Sequence, residues 1–308
     1  MRSLTNSLAG IIYAAGWALV KRVPEPVART LFRWAADAAW LRRGRGVHQL
    51  EANLRRVIGP ENSAVRLRQL SRAAMRSYSR YWLEVFRLPV WTQPRIRSTF
   101  HLEFAHRLHD PLAIGRGVVV VLPHAANWDH AGAYATLIGA PVTTVAERLR
   151  PESLFDRFVA SRRALGMEVL PLSVGGQVFG VLAQRLRAGG VVCLVGDRDL
   201  SRTGVEVDFF GERTRMPGGP AALAVQTGAA LLPATLWYST SGTHLRLHPE
   251  VPIPVEGSRT EKVAVMTQQV ANVFAAGIAT HPEDWHMLQP LWLEDLTSSP
   301  ARVEVGNS

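Results

Sequence analysis

A histidine and an aspartate five positions apart, His124 and Asp129, stand in the run Leu122-Pro123-His124-Ala125-Ala126-Asn127-Trp128-Asp129. Imidazole and carboxylate suit general-base chemistry. The carboxylate fixes the tautomer and steadies the imidazolium, while the other ring nitrogen takes a proton. Positions five apart on one helix diverge by about 140° and do not meet. They meet only if His124 lies on a strand-to-helix turn and Asp129 lies in the first turn of the helix. The flanks fit, because the apolar run Val118–Leu122 precedes the motif and a helical pattern follows it. That helix N-terminus would also offer amide donors to an anion or a developing oxyanion. In a chain with ten histidines the spacing alone is weak, so the strand–turn–helix context carries the reading. A surface histidine beside a helix-terminal aspartate is the competing one.

No serine or cysteine nucleophile accompanies the histidine. Gly-x-Ser-x-Gly is missing, and the single cysteine, Cys193, sits inside the apolar run Val191–Val195. Direct attack by a substrate hydroxyl is therefore favoured over a covalent enzyme intermediate. One cysteine also excludes a disulfide scaffold. The histidines His101, His106 and His109, and the pair His281 and His286, lack a convincing further ligand set for zinc. We expect no metal and no resident cofactor.

Two textures position these residues. The first ninety residues read as helices, with Val27, Leu31, Trp34, Ala38 and Leu41 at helical spacing, then Val47, Leu50, Leu54 and Val57. A longer helix is expected from about Ser63 to Arg87. From about residue 115, apolar β-branched runs alternate with helical segments. The runs are 118–122, 141–145, 167–170, 191–195, 230–237 and 243–247; the helices fall near 128–138, 151–165, 178–187, 219–227 and 262–279. This alternation predicts an α/β fold: a single domain with a mixed, largely parallel sheet of about seven strands flanked by helices, plus an N-terminal helical layer. The expected division is a basic helical layer over 1–90, an α/β body over 91–295 and a tail over 296–308.

Charge is unevenly spread. The net is +10, yet residues 1–110 carry nineteen Lys and Arg against seven Asp and Glu, and the remainder is slightly acidic. A basic layer wants an anionic partner: a membrane surface, nucleic acid or a phosphorylated ligand. The longest uncharged apolar stretch, Leu8–Val20, is about a third short of the roughly 20 residues that cross a bilayer. It either lies in a membrane interface or packs as a helix on the domain.

The form Pro-His-x-x-Asn-Trp-Asp resembles the late lipid A acyltransferases, and within them the actinobacterial phosphatidylinositol mannoside branch. Further matches are Thr144–Ser153, Asp197-Arg198-Asp199-Leu200, Val207–Glu212, Thr214–Ala221 and Asp284-Trp285-His286-Met287-Leu288-Gln289-Pro290, with Asn53-Leu54, Tyr81-Trp82 and Phe86–Pro89 upstream. The likeness covers the chain to about residue 295. It implies transfer of a fatty acyl group, palmitoyl as the usual donor, from acyl-CoA to a mannose hydroxyl of the glycolipid. It further implies His124 and Asp129 as the catalytic pair, and Asp197 where the branch carries Glu, one methylene longer. Asn127, Glu147, Arg148, Arg162, Arg198 and Asp199 are the implied substrate-binding positions. Arg148, Arg150, Arg157, Arg162 and Arg163 form a candidate phosphate cluster, or a solvated helix face. The implied partners are acyl-CoA, the mannoside acceptor and an anionic membrane surface on the cytoplasmic face, with the chain acting as a monomer. A same-fold acyltransferase with a lysophospholipid or lipid A-like acceptor is the alternative. A non-catalytic anionic-surface binder is more remote, because no nucleic-acid-binding motif is present.

Overall fold

The computed structural model describes residues 16–147, 152–172, 177–199 and 203–298. The chain begins with helical residues 16–22 (α1). Three longer helices follow: α2 (Glu25–Leu41), α3 (Arg45–Ile58) and α4 (Ala64–Arg87). Their boundaries follow local chemistry. Pro24 and Pro26 flank the start of α2, Ser63 caps α4 through the Arg66 amide, and Gly59 ends α3 at φ 84°.

The α/β body holds a seven-stranded sheet. Its order is β1 (Phe100–Glu103), β9 (Thr243–Leu247), β8 (Ala230–Tyr238), β2 (Val118–Leu122), β5 (Val191–Val195), β3 (Val142–Ala146) and β4 (Glu168–Pro171). Within this sheet, among the described residues, only β8 and β9 pair antiparallel. The sheet is thus mixed and mostly parallel, as the apolar runs implied. The helices between or after these strands include α7 (Trp128–Leu137), α8 (Glu152–Ala164), α9 (Gln177–Arg187), α10 (Gly219–Thr227) and α11 (Arg259–Thr280). Helix α11 opens on a Ser258/Glu261 capping box. It is long and apolar enough to cross a membrane by composition, but Met266, Val270, Phe274 and Ile278 bury it in the core.

The pattern missed several elements. Strand β1, the short helices α5 (Gln93–Ser98) and α6 (His106–Ala113), and the hairpin β6 (Val205–Phe209)–β7 (Glu212–Met216) were not anticipated. The hairpin turns on Phe210 and Gly211, both at positive φ, the geometry two-residue hairpins require. Strand β1 and the hairpin are polar and half-exposed, so they lack the apolar run that marks a central strand.

One expectation is reversed. The helical spacing of Val27, Leu31, Trp34 and Leu41 would ordinarily mark a core face, but they are exposed on α2, and the alanines Ala28 and Ala36 face inward. Small side chains allow close approach to α4. Of the stretch Leu8–Val20, residues up to 15 lie outside the described residues. Trp17 is buried between Phe86 and Phe158, with its indole N–H on the Phe86 carbonyl at 2.9 Å.

Candidate active site

Parallel pairing brings the site together. Strands β2 and β5 lie side by side with Leu122 opposite Val195, so His124 and Asp197 each fall two residues beyond paired strand ends. This is the carboxyl edge of the sheet, where α/β proteins place ligands. Gly196 lets the edges close: its amide donates to the Leu122 carbonyl at 2.9 Å, and a Cβ there would meet Val121 Cγ2 at 2.5 Å.

Asp197 holds His124 at two points. Its Oδ1 meets His124 Nδ1 at 2.5 Å, and its Oδ2 accepts the His124 backbone N–H at 3.0 Å. The carboxylate is fully buried and the histidine side chain is 30% exposed. Burial alone would raise the Asp197 pKa, but the adjoining His124 charge and the donors around the carboxylate bring it below the ordinary value. With Nδ1 engaged, Nε2 is the ring nitrogen left for a substrate, and it makes no hydrogen bond among the described residues.

The expected His124–Asp129 contact is not made. Asp129 sits in the first turn of α7, as the motif reading required, but its Oδ1 and Oδ2 accept from Arg162 at 2.5 and 3.2 Å. The Tyr81 hydroxyl adds a bond to Oδ2 at 3.2 Å. Burial and the Asp129 charge push the Tyr81 pKa well up, keeping it a donor. Burial opposes the Arg162 charge, but Asp129 outweighs it and raises the Arg162 pKa. Among the described residues Asp129 makes no hydrogen bond to His124; its carboxylate is directed to Arg162 and Tyr81 instead.

The other expected positions divide. Asn127 is fully buried, capping α7 through the His130 amide and donating to Glu84 at 2.9 Å. It shapes the loop between β2 and α7. Glu147 and Arg198 form an ion pair at 3.7 Å, and Asp199 accepts from the Gly204 amide at 2.8 Å. Arg148 and Arg150 lie outside the described residues. Arg157 and Arg163 are exposed on α8, whereas Arg162 turns inward to Asp129. Cys193 lies mid-strand in β5, and burial pushes its thiol up to about 12, which removes it as a nucleophile.

Sequence reasoning assigned no role to the residue that completes the dyad. Trp285, fully buried, donates its indole N–H to Asp197 Oδ2 at 2.9 Å. Its backbone bridges Ala125; the Ala126 amide donates to the Asp284 carbonyl at 2.9 Å, and the His286 amide to the His124 carbonyl at 2.8 Å. These bonds hold Ala126 at φ 46°, a conformation alanine adopts only when its surroundings impose it. The signal was the matched segment Asp284–Pro290, and only its fold-level contacts reveal the role. Behind it, the Ser77 hydroxyl joins Asp284 Oδ1 at 2.6 Å and His286 Nε2 at 3.0 Å. A cavity of about 400 Å³ lies against this support, lined by residues including Phe32, Leu83, Glu84, Tyr238 and Asp284. His124 does not line it, so this cavity and the His124–Asp197 pair are separate features. Aromatic side chains border the dyad: Trp128 stands 5.5 Å from the His124 ring and 4.2 Å from Tyr81.

A buried carboxylate beside a part-exposed histidine at a sheet edge is an arrangement that can serve general-base chemistry. The profile described as "Bacterial lipid A biosynthesis acyltransferase" matches residues 2–294. The chain belongs to this acyltransferase family. Among curated relatives, the "Phosphatidylinositol mannoside acyltransferase" of Mycolicibacterium smegmatis (strain ATCC 700084 / mc(2)155) is 47% identical over 304 residues, 98% of this chain and 97% of the relative. The protein of the same name from Mycobacterium tuberculosis (strain ATCC 25618 / H37Rv) is 47% identical over 300 residues, 96% of this chain and 92% of the relative. Within this acyltransferase family, the chain is thus similar to the mannoside-named relatives over nearly its full length.

Proposed function

We propose that the protein transfers a long-chain acyl group, palmitoyl foremost, from acyl-CoA to a mannose hydroxyl of phosphatidylinositol mannoside at the cytoplasmic face of the membrane. The single observation that carries the mechanism is the His124 Nδ1 contact with Asp197 at 2.5 Å, which leaves Nε2 for the acceptor. His124 takes the hydroxyl proton as the oxygen attacks the thioester carbon. The C–S bond then breaks, and the CoA thiolate leaves with the proton returned from the imidazolium. Asp197 stabilises that imidazolium, a contribution on the order of 10²–10⁴ in rate for the base. Asp129 acts at one remove by fixing Arg162 beside the Tyr81–Trp128 wall, and that aromatic wall suits an apolar acyl chain. The acceptor follows from the names of relatives that match nearly end to end. No cofactor is needed, since the thioester supplies the activated group.

The test is thiol release and lipid mass spectrometry with palmitoyl-CoA and a panel of acceptors: phosphatidylinositol mannosides, a lysophospholipid and a lipid A-like saccharide. Mannoside acylation that vanishes in a folded His124→Ala variant is the expected result. Turnover surviving in that variant overturns the mechanism, and transfer only to another acceptor overturns the substrate.

A further inference from the structure

Helix α2 is apolar on two sides. Its inner alanines, Ala28 and Ala36, pack toward α4 and are 3% and 4% exposed. Its outer side carries the larger groups: Val27, Leu31, Trp34 and Leu41 are 50%, 50%, 66% and 68% exposed. At 3.6 residues per turn these four fall within an arc of about 80°, with Ala38 on the same arc. The inner side is already packed, so the outer stripe is a second apolar face left uncovered, and a clustered exposed patch marks an interaction surface.

Charge identifies that phase. Arg22, Arg33, Arg42 and Arg45 are exposed along or beside the helix, with no ion pair among the described residues. Its only acids are already neutralised: Glu25 by Arg29 and Arg95, Asp37 by Arg72 and Arg76. An apolar stripe set among free cations, with no free anion of its own, fits the interface of an anionic bilayer. A second copy of the same face would set arginine against arginine.

We propose that the outer face of α2 is the docking surface of this protein on anionic lipid. Leu31 and Trp34 enter the interface, and Arg22, Arg33, Arg42 and Arg45 meet lipid phosphates. Because α2 packs on α4, which carries the Asp129 partner Tyr81, the docked face lies one helix layer from the dyad. The inference deepens the membrane part of the proposed function, on which its biological sense rests, but its test uses neither donor nor acceptor.

The full-length protein is sedimented with vesicles of phosphatidylcholine alone and with about 30% phosphatidylglycerol. The wild type is expected to prefer the anionic vesicles. The variant Leu31→Ser with Trp34→Ser is expected to lose about tenfold or more in partitioning. Its circular dichroism, Tm and acyl transfer to a detergent-dispersed acceptor remain as in the wild type. Arg33→Glu with Arg42→Glu should remove most of the salt-sensitive part of binding. Unchanged vesicle binding in both variants overturns the proposal. So does a wild-type dimer that the Leu31/Trp34 variant abolishes, which assigns the face to a second copy. Anionic vesicle binding lost in the Leu31/Trp34 variant supports the docking surface even if the wild type transfers no acyl group, a result that overturns the function alone.

Discussion

Trp285 donates its indole N–H to Asp197 Oδ2 at 2.9 Å, on the carboxylate whose other oxygen meets His124 Nδ1. The two residues are far apart in sequence and share one buried point. Removing the donor while keeping an aromatic ring isolates its effect. Trp285→Phe is expected to lower kcat/KM by about ten- to a hundredfold, the worth of a hydrogen bond to a charged group. Asp197 also loses one of the donors that lower its pKa, so the acidic limb of the pH–rate profile moves to higher pH. A loss of Tm with an unmoved limb would reduce Trp285 to packing.

Asp129 and Arg162 are a structural pair as much as a functional one. Asp129→Asn leaves a mostly buried guanidinium without its counter-charge, and stability should fall by about 3 kcal/mol or more. Adding Arg162→Met removes the stranded charge and should restore much of the loss, read by chemical denaturation. Additive losses in the double variant would show that the two residues do not act as a pair.

Asp284 and His286 shift stability with pH in opposite directions. Burial raises the Asp284 pKa to about 6. The folded state therefore binds more protons than the unfolded state, and this group's contribution falls as pH rises from about 4 to 6. Burial lowers the His286 pKa to about 3. Here the unfolded state binds more protons, and the contribution grows as pH rises from about 3 to 6.5. Between pH 4 and 6 the two slopes oppose. Relative to wild type, Asp284→Asn should make stability climb more with pH across that window, and His286→Gln should make it climb less. Parallel Tm–pH curves for the wild type and both variants would refute the pair of assignments.

Cys193 tests the absence of an enzyme-bound acyl group. With its thiol raised to about 12, Cys193→Ala should keep turnover within about twofold, and iodoacetamide should leave the native enzyme active. Inactivation that the variant abolishes would reopen covalent catalysis.

Much of the fold was legible because central parallel strands are buried on both faces and read as unbroken apolar runs. All six expected strands formed, and Trp128 opened the helix after the motif. Edge and hairpin strands such as β1 and β6 were not legible, because half-exposed strands carry no such run. Helix α2 was legible as a helix, but its larger apolar residues face outward. Periodicity finds an apolar face without saying what covers it, and alanines packed inside where larger side chains would ordinarily sit.

The site divides along the same physical line. By itself the sequence determined that His124 lies between a strand and a helix, that Asp129 opens that helix, and that Cys193 sits within a strand, since each is a local consequence of pattern. Only the tertiary structure decided which carboxylate serves the histidine. The register of β2 on β5 sets Asp197 beside His124, while α8 brings Arg162 to Asp129 and Trp285 closes over Asp197. Hydrogen-bond partners are chosen by distance and direction across strand and helix layers, and residues 73 or 88 positions apart carry no local mark of that choice.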